Sequence, residues 1–169
     1  MKKFILDNSI QIRNATTADY EAIWQIIQPA VAAGDSLAFA PDSSRQEMLD
    51  FWCAESKDTY VAELEGVVVG TYFLKANQPG LGSHVVNAGY ITAKGHTGKG
   101  IARTMCAHSL VEAKALGFTH MQYNIVVKSN VRAVKLWQSM GFEIVGELPE
   151  VFNHAQNGLT NAYVMWRRL

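Results

Sequence analysis

The sequence predicts a mixed α/β fold in which one central β-sheet is flanked by about four helices. Two observations lead to this expectation. Segments with apolar residues at helical spacing are interspersed with short runs rich in branched residues. Apolar residues make up 49% of the 169 residues and charged residues 18%, which is enough apolar material for one sizeable core. We therefore expect a single domain over residues 1–169.

The first predicted elements are a strand and two helices. Residues 9–16 alternate between apolar and polar side chains, as a half-buried strand does. Thr16 and Asp19 then have the spacing of a capping box, and an apolar stripe at helical spacing follows. Pro29 interrupts that stripe and predicts a kink or a break, because proline has no amide hydrogen. A second helix begins after Ser44.

Three strands and a helix come next. The segment TYVAELEGVVVGTYFLKA, from Thr59, contains two strands that turn at Glu65–Gly66. The segment HVVNAGYITA, from His84, is a third strand that leads into a cluster of glycines. The helix after Gly100 ends at Gly117, which can adopt the left-handed cap conformation.

The C-terminal third predicts a strand, a helix and two final strands. His120 to Val127 forms a buried strand, and a helix runs from Asn130 to Gly141. The last strands are expected at residues 142–146 and 161–166, with a long loop over residues 149–161. The full order is strand, two helices, three strands, helix, strand, helix and two strands, which indicates one mixed sheet.

Composition excludes several classes of function. Fifteen basic residues balance fifteen acidic ones, whereas a nucleic-acid-binding protein would show a basic excess. Cys53 and Cys106 lack CxxC spacing, which argues against a zinc knuckle or a structural disulfide and favours a reducing compartment. The chain has no membrane-length apolar run, and its start is too short for a signal peptide, so we expect a soluble cytoplasmic protein. Four histidines spaced twelve apart do not suggest a metal site.

The segment GHTGKGIARTMCAHSL, from Gly95 to Leu110, joins a strand to a helix through three glycines. The first amides of a helix lack partners and attract anions, and glycines let phosphate oxygens approach them. The residues do not fit a P-loop, because Ile101 and Ala102 follow Gly100 where lysine and serine or threonine are needed. Arg103 likewise replaces the third glycine of a dinucleotide fingerprint. The turn is either a different phosphate site or a plain left-handed turn.

A second segment supports the phosphate site. NVRAVKLWQSMGF, from Asn130 to Phe142, has the form N-x-x-A-x-x-L-aromatic-x-x-x-G-F. Together the two segments resemble the GNAT superfamily of acetyl-CoA-dependent N-acetyltransferases. The glycine motif of that superfamily, Q/R-x-x-G-x-G/A, reads here Thr97-x-x-Gly100-x-Ala102. The resemblance implies the GNAT fold and direct acetyl transfer, with acetyl-CoA as co-substrate and no metal.

The resemblance also implies positions for the co-substrate. Pantetheine would run beside the strand that ends at Ile91, Thr92 and Ala93, and the backbone amide near Ile91 would stabilise the oxyanion. Asn130 would contact the co-substrate from the opposite side, although an asparagine here is also an ordinary helix N-cap. The amides that would receive the pyrophosphate belong to Thr97, Gly98, Lys99, Gly100, Ile101 and Ala102.

Three residues depart from the pattern of the superfamily. Thr97 replaces the glutamine or arginine of the motif. Trp137 stands where a tyrosine commonly protonates the leaving thiolate, and an indole cannot release a proton near neutral pH. We interpret Trp137 as an aromatic core residue. The strand VVNAGYIT carries Asn87 and no carboxylate that could act as a general base.

A narrower resemblance concerns the acceptor. Asn87, the strand segment YNIVV and the tail GELPEVFNHAQNGLTNAYVM are similar to N-acetyltransferases that detoxify the proline analogue L-azetidine-2-carboxylate. This likeness implies that Asn87 and Asn124 lie at the acceptor site, where Asn87 would orient the amine or a water. The backbone of Ile125 would then meet the substrate carboxylate. The alternative for the two asparagines is a structural hydrogen bond to each other.

The expected function is therefore acetylation of a small-molecule amine. We expect the loop over residues 149–161 to form one wall of the acceptor pocket. His154 lies in this loop, where we expect it to be exposed; the alternative is that it contacts the substrate. Two alternatives remain open: acetylation of a protein N-terminus or lysine, and a non-catalytic acyl-CoA sensor. The sequence predicts no nucleic-acid or membrane partner and leaves a homodimer open.

Overall fold

The computed structural model describes residues 10–169. Residues 1–9, which carry the expectation about a signal peptide and the start of the first strand, lie outside the described residues. Within the described part, the predicted order of elements and the mixed α/β fold are confirmed. The strands are β1 (Ile10–Asn14), β2 (Asp58–Leu64), β3 (Val67–Ala76), β4 (Val85–Thr92), β5 (His120–Val127), β6 (Glu143–His154) and β7 (Gly158–Arg168). The α-helices are α1 (Tyr20–Ala32), α2 (Arg45–Trp52), α3 (Ile101–Ala115) and α4 (Val131–Ser139).

One sheet carries a core on each face. Its strand order is β1-β2-β3-β4-β5-β7-β6, and every neighbouring pair is antiparallel except β4 and β5. Side chains alternate between the faces, so Phe73 packs with α1 and α2 while Tyr72 and Leu74 pack with α3 and α4. None of the helices in residues 10–169 is long and apolar enough to span a membrane.

The two parallel strands stay together for a very short distance. β4 and β5 pair only at Val85↔His120 and Val86↔Met121, whereas β4 remains paired to β3 from Val86 to Thr92. Beyond Val86, β5 therefore diverges from β4 and the sheet opens. We call this opening the fork. It leaves one edge of β4 without a neighbouring strand in the middle of the sheet.

Of the kink or break predicted at Pro29, the break is wrong. α1 continues through Pro29 to Ala32. Buried side chains flank the proline on both sides, with Ile26 and Ile27 before it and Val31 after it. Their packing against the sheet stabilises the last turn enough to offset the hydrogen bond that proline cannot donate.

The predicted long loop over residues 149–161 is also wrong, because most of it is strand. β6 continues to His154 and pairs with β7 from Gly158, which leaves a turn of three residues. The register shifts between Leu148 and Phe152, and Glu150 within that bulge has φ 51°. A bulge in an edge strand accommodates Pro149, which has no amide hydrogen to donate.

Candidate active site

A cleft of about 730 Å³ occupies the fork. Its lining comes from β4 (residues 88–92) and β5 (residues 123 and 125–127), and from α1 with the loop that follows it. Residues from α4 and the two positions before it (129, 130, 133 and 137), Lys94, Thr97 and the end of β6 complete the lining. The cleft therefore connects the α3 and α4 side of the sheet with the α1 and α2 side.

The glycine turn begins on the α3 side of the cleft. Gly95, Gly98 and Gly100 have φ of 84°, 84° and 79°, a region that favours glycine. Gly100 is the N-cap of α3, and its carbonyl accepts the helical hydrogen bond of Thr104 N–H at 2.9 Å. The helical amides before Thr104 have no acceptor within the helix, so the turn presents N–H groups suited to an anion.

The register of β4 determines which of its backbone groups face the fork. Ala93 N–H donates to Val69 O and Asn77 N–H donates to Val85 O, both at 2.8 Å. In an antiparallel pair these bonds recur at every second residue, so the odd-numbered residues of β4, including Ile91, direct their amides at β3. The amides of Ala88, Tyr90 and Thr92 point the other way, towards the fork.

Asn87 lies where β4 and β5 separate. Its Nδ2 donates to the Gln122 carbonyl at 2.8 Å. If β4 and β5 stayed paired beyond Val86↔Met121, the next hydrogen bond between them would run from Ala88 N–H to the Gln122 carbonyl. The side chain of Asn87 therefore takes the place of the next ladder hydrogen bond, and it satisfies the Gln122 carbonyl at the apex of the fork.

Asn124 is exposed and bonds elsewhere. Its Nδ2 donates to Asn77 Oδ1 at 2.7 Å, and its Oδ1 accepts from Gln122 Nε2 at 3.0 Å. The alternative of a direct hydrogen bond between Asn87 and Asn124 is thus wrong, because each side chain binds a different partner. Neither asparagine lines the cleft, whereas Ile125 does.

Of the other residues predicted for the co-substrate, four line the cleft: Ile91, Thr92, Thr97 and Asn130. Asn130 is confirmed as an N-cap, since its Oδ1 accepts from Ala133 N–H at 3.2 Å. Gly98, Lys99 and Gly100 are exposed on the turn outside the lining, and Ala93, Ile101 and Ala102 also lie outside it.

Trp137 packs in an aromatic cluster that borders the cleft. It is 8% exposed, and its ring centroid lies 5.1 Å from that of Tyr90 and 5.0 Å from that of Tyr123. The Tyr123 hydroxyl donates to the Tyr90 hydroxyl at 3.0 Å, which in turn bonds Ser109 Oγ at 2.6 Å. Burial raises the pKa of both tyrosines well above the ordinary value, so neither hydroxyl is a useful acid near neutral pH.

Cys106 is a core residue, as its place on the apolar side of the helix predicts. Its side chain is fully buried against the sheet. Burial raises the pKa of its thiol to about 11, so little thiolate forms near neutral pH. Among residues 10–169, no group of three His, Cys, Asp or Glu side chains is arranged to hold a metal ion.

Sequence reasoning missed four polar residues of the lining, Asp35, Ser36, Lys94 and Ser129, and took His154 to be exposed rather than in contact with the substrate. Asp35 follows α1, and His154 ends β6. The expectation that His154 is exposed is wrong, because its exposed fraction is 8% and it lines the cleft. The one local signal for Asp35 was the polar stretch Gly34–Asp35–Ser36 after an apolar helix. No local pattern links this stretch to His154, which is more than a hundred positions later in the sequence.

Comparison with known proteins agrees with this geometry. The model of the acetyltransferase (GNAT) family matches residues 17–142. A GCN5-related N-acetyltransferase from Kribbella flavida is 36% identical, with a TM-score of 0.91 over 96% of this chain and 99% of that one. The Salmonella typhimurium protein yncA, solved with its cofactor acetyl-CoA, has a TM-score of 0.83 over 95% of this chain and 94% of that one. Its identity is 24%, so this likeness concerns the fold.

A relative known from its sequence is more distant. N-acetyltransferase aca1 of Schizosaccharomyces pombe is 29% identical over 98 residues. The matched region is 57% of this chain and 47% of that protein. The chain therefore spans about half the length of this relative.

Proposed function

Because this chain belongs to the acetyltransferase (GNAT) family, we propose that it transfers an acetyl group from acetyl-CoA directly to the amine of a small amino or imino acid. The observation that carries the proposal is the fork. It exposes the amides of β4 next to a glycine turn at the start of α3, which suits a long ligand with an amide-bearing arm and an anionic end.

In this proposal acetyl-CoA enters from the α3 side. Its pyrophosphate meets the amides from Thr97 to Ala102, and Lys99 adds a positive charge at the rim. Its pantetheine arm runs along the edge of β4 and completes the hydrogen bonds that β5 leaves unmade beyond Val86. Asn130 contributes from the first turn of α4, in addition to its capping role.

The chemistry needs few protein groups. The nitrogen of a neutral amine attacks the thioester carbonyl, the C–N bond forms, the C–S bond breaks with its electrons leaving on sulfur, and the amine proton passes to solvent. An amide of β4 stabilises the oxyanion, and the register favours Tyr90 or Thr92 over Ile91 for this role. A thiol has a pKa of about 8.5, so thiolate can leave without a protein acid.

A contact between two turns beside the α1 side of the cleft supports a small substrate. The turn between β6 and β7 contacts the loop after α1, where Ala155 N–H donates to Gly34 O at 2.9 Å. This contact bridges one side of the cleft, where an extended peptide would need an open groove. We propose that Asn87 and Asn124 both serve the acceptor site. Asn87 acts indirectly, through its hydrogen bond to the Gln122 carbonyl at the apex of the fork, and Asn124 lies close by but outside the lining.

Product formation tests this function. The protein is incubated with acetyl-CoA and, separately, with L-azetidine-2-carboxylate, L-proline, other amino acids, and peptides that carry either a free N-terminus or a free lysine. Thiol release and the mass of the product are measured. We expect acetylation of small imino or amino acids and poor activity on peptides. Acetylation of peptides alone would favour a protein acetyltransferase, and CoA binding without any product would favour a sensor.

A further inference from the structure

The lining of the cleft carries opposite charges on its two sides. Asp35 and Lys94 are its formally charged residues, with His154 as a further titratable side chain. Lys94 lies beside the glycine turn that leads to α3, whereas Asp35 follows α1 on the other face of the sheet. A cation is thus available where an anionic co-substrate would bind, and an anion is available where an amine would approach.

We propose that Asp35 and His154 together bind the acceptor as a zwitterion. The Asp35 carboxylate receives the ammonium group, and the Nε2–H group of His154 donates to the carboxylate of the same molecule. The bound ammonium group then releases one proton to solvent, and the neutral amine so formed attacks the thioester. This inference rests on the proposed function and specifies which protein groups recognise the substrate.

The fold brings these two residues to the same cleft through one close contact between their neighbours in sequence. Asp35 follows Gly34, and His154 precedes Ala155. The Gly34 carbonyl accepts from Ala155 N–H at 2.9 Å, and a Cβ placed on Gly34 would meet the Ala155 Cβ at 3.0 Å. Each proposed binding residue is therefore next in sequence to one partner of this contact. Asp35 and His154 line the same cleft, which suits an α-amino or α-imino acid, because a single carbon separates the two charged groups of such a molecule.

The hydrogen bonds of His154 determine what it offers to the cleft. Its Nδ1 accepts from Gln156 N–H at 3.1 Å and from Asn157 N–H at 3.3 Å. An Nδ1 that accepts leaves the ring hydrogen on Nε2. No hydrogen bond among residues 10–169 uses that Nε2–H, and the ring is largely buried at the wall of the cleft. His154 thus presents one donor to a ligand, from a ring held in place by the turn.

The test changes the protein and the substrate together. His154→Asn keeps an acceptor for the turn amides and removes the donor at Nε2, whereas His154→Gln keeps a donor near the Nε2 position. Kinetics are measured with L-azetidine-2-carboxylate and with its methyl ester, which retains the amine and lacks the carboxylate. Asp35→Asn is compared with Asp42→Asn, since Asp42 is an exposed carboxylate outside the lining.

The expected results differ between the variants. His154→Asn should lower the acid-to-ester ratio of kcat/KM at least fivefold, about 1 kcal/mol, and His154→Gln should recover most of it. Asp35→Asn should raise the KM for acid and ester alike, whereas Asp42→Asn should not. The KM for acetyl-CoA should stay unchanged in all four variants.

Three outcomes overturn this inference. If the wild-type protein acetylates the acid and its acid-to-ester ratio is unchanged in His154→Asn, or if Asp35→Asn matches Asp42→Asn, the binding roles are wrong and the proposed function stands. If the wild-type protein acetylates no small amino or imino acid, and calorimetry detects no binding of these acids to the CoA-bound protein, the acceptor class and the inference both fail.

Discussion

The two sides of the cleft are built in different ways. On the α3 side, the glycine turn and the N-terminus of α3 come from one continuous segment, and we propose that they bind the co-substrate through backbone amides. On the α1 side, Asp35 and His154 are far apart in sequence and line the same cleft, where Gly34 next to Asp35 contacts Ala155 next to His154. A ligand common to a whole family can be bound by a local backbone motif, whereas an individual acceptor is distinguished by side chains that tertiary packing assembles.

The largest expected effect concerns the backbone side. Gly100→Val places a branched side chain where phosphate oxygens are proposed to bind, so we expect CoA affinity to fall at least tenfold, about 1.4 kcal/mol. The variant also strains a left-handed residue, because Gly100 has φ 79°. Gly117→Val is the matched control, since Gly117 has φ 92° at the other end of α3 and open space around its Cβ position. Unchanged CoA affinity in a folded Gly100→Val protein, measured by calorimetry, would contradict the phosphate site.

The next effect concerns the apex of the fork. Asn87→Ala leaves the Gln122 carbonyl without its partner, which should cost about 1 kcal/mol of unfolding free energy. We expect kcat to fall about fivefold through the altered edge of β4, with CoA affinity nearly unchanged. Steady-state kinetics and urea unfolding measure the two effects.

Asn124→Ala is the companion variant at the fork. Asn124 is exposed and lies outside the lining. If its side chain contacts the acceptor directly, Asn124→Ala should mainly raise the KM for the acceptor. If both asparagine variants remain fully active, neither residue serves the acceptor site.

A smaller effect is expected at the contact between Gly34 and Ala155. Gly34→Val should separate Asp35 from His154 and raise the acceptor KM about threefold, while the KM for acetyl-CoA stays constant. Gly66→Val, in the turn between β2 and β3, is the control, because Gly66 also has positive φ and has no atom near its Cβ position. Equal effects of the two substitutions on the acceptor KM would show that the contact does not organise the acceptor side.

The smallest effect is expected at Trp137. If its indole only packs against Tyr90 and Tyr123, Trp137→Phe should keep kcat within about twofold, whereas loss of a general acid would cost about a hundredfold. The pH dependence of kcat and the thermal midpoint are measured together. A hundredfold loss at unchanged stability would assign the indole a direct part in the reaction.

The sequence by itself determined the order of the elements, the mixed sheet and the glycine turn. These features depend on periodicity and on conformations that glycine favours, both of which are local properties of the chain. The N-cap role of Asn130 and the burial of Cys106 followed for the same reason.

Tertiary structure decided the rest. α1 continues through Pro29 because buried neighbours on both sides offset the missing hydrogen bond, and residues 149–154 become strand because β7 supplies a partner edge. The partner of Asn87 is a carbonyl of the neighbouring strand β5, and Asn124 binds the side chain of Asn77, which follows β3. Asp35 and His154 line one cleft beside a single contact between distant segments. No local pattern records such contacts, because their energies arise only when the sheet has formed and brought the segments together.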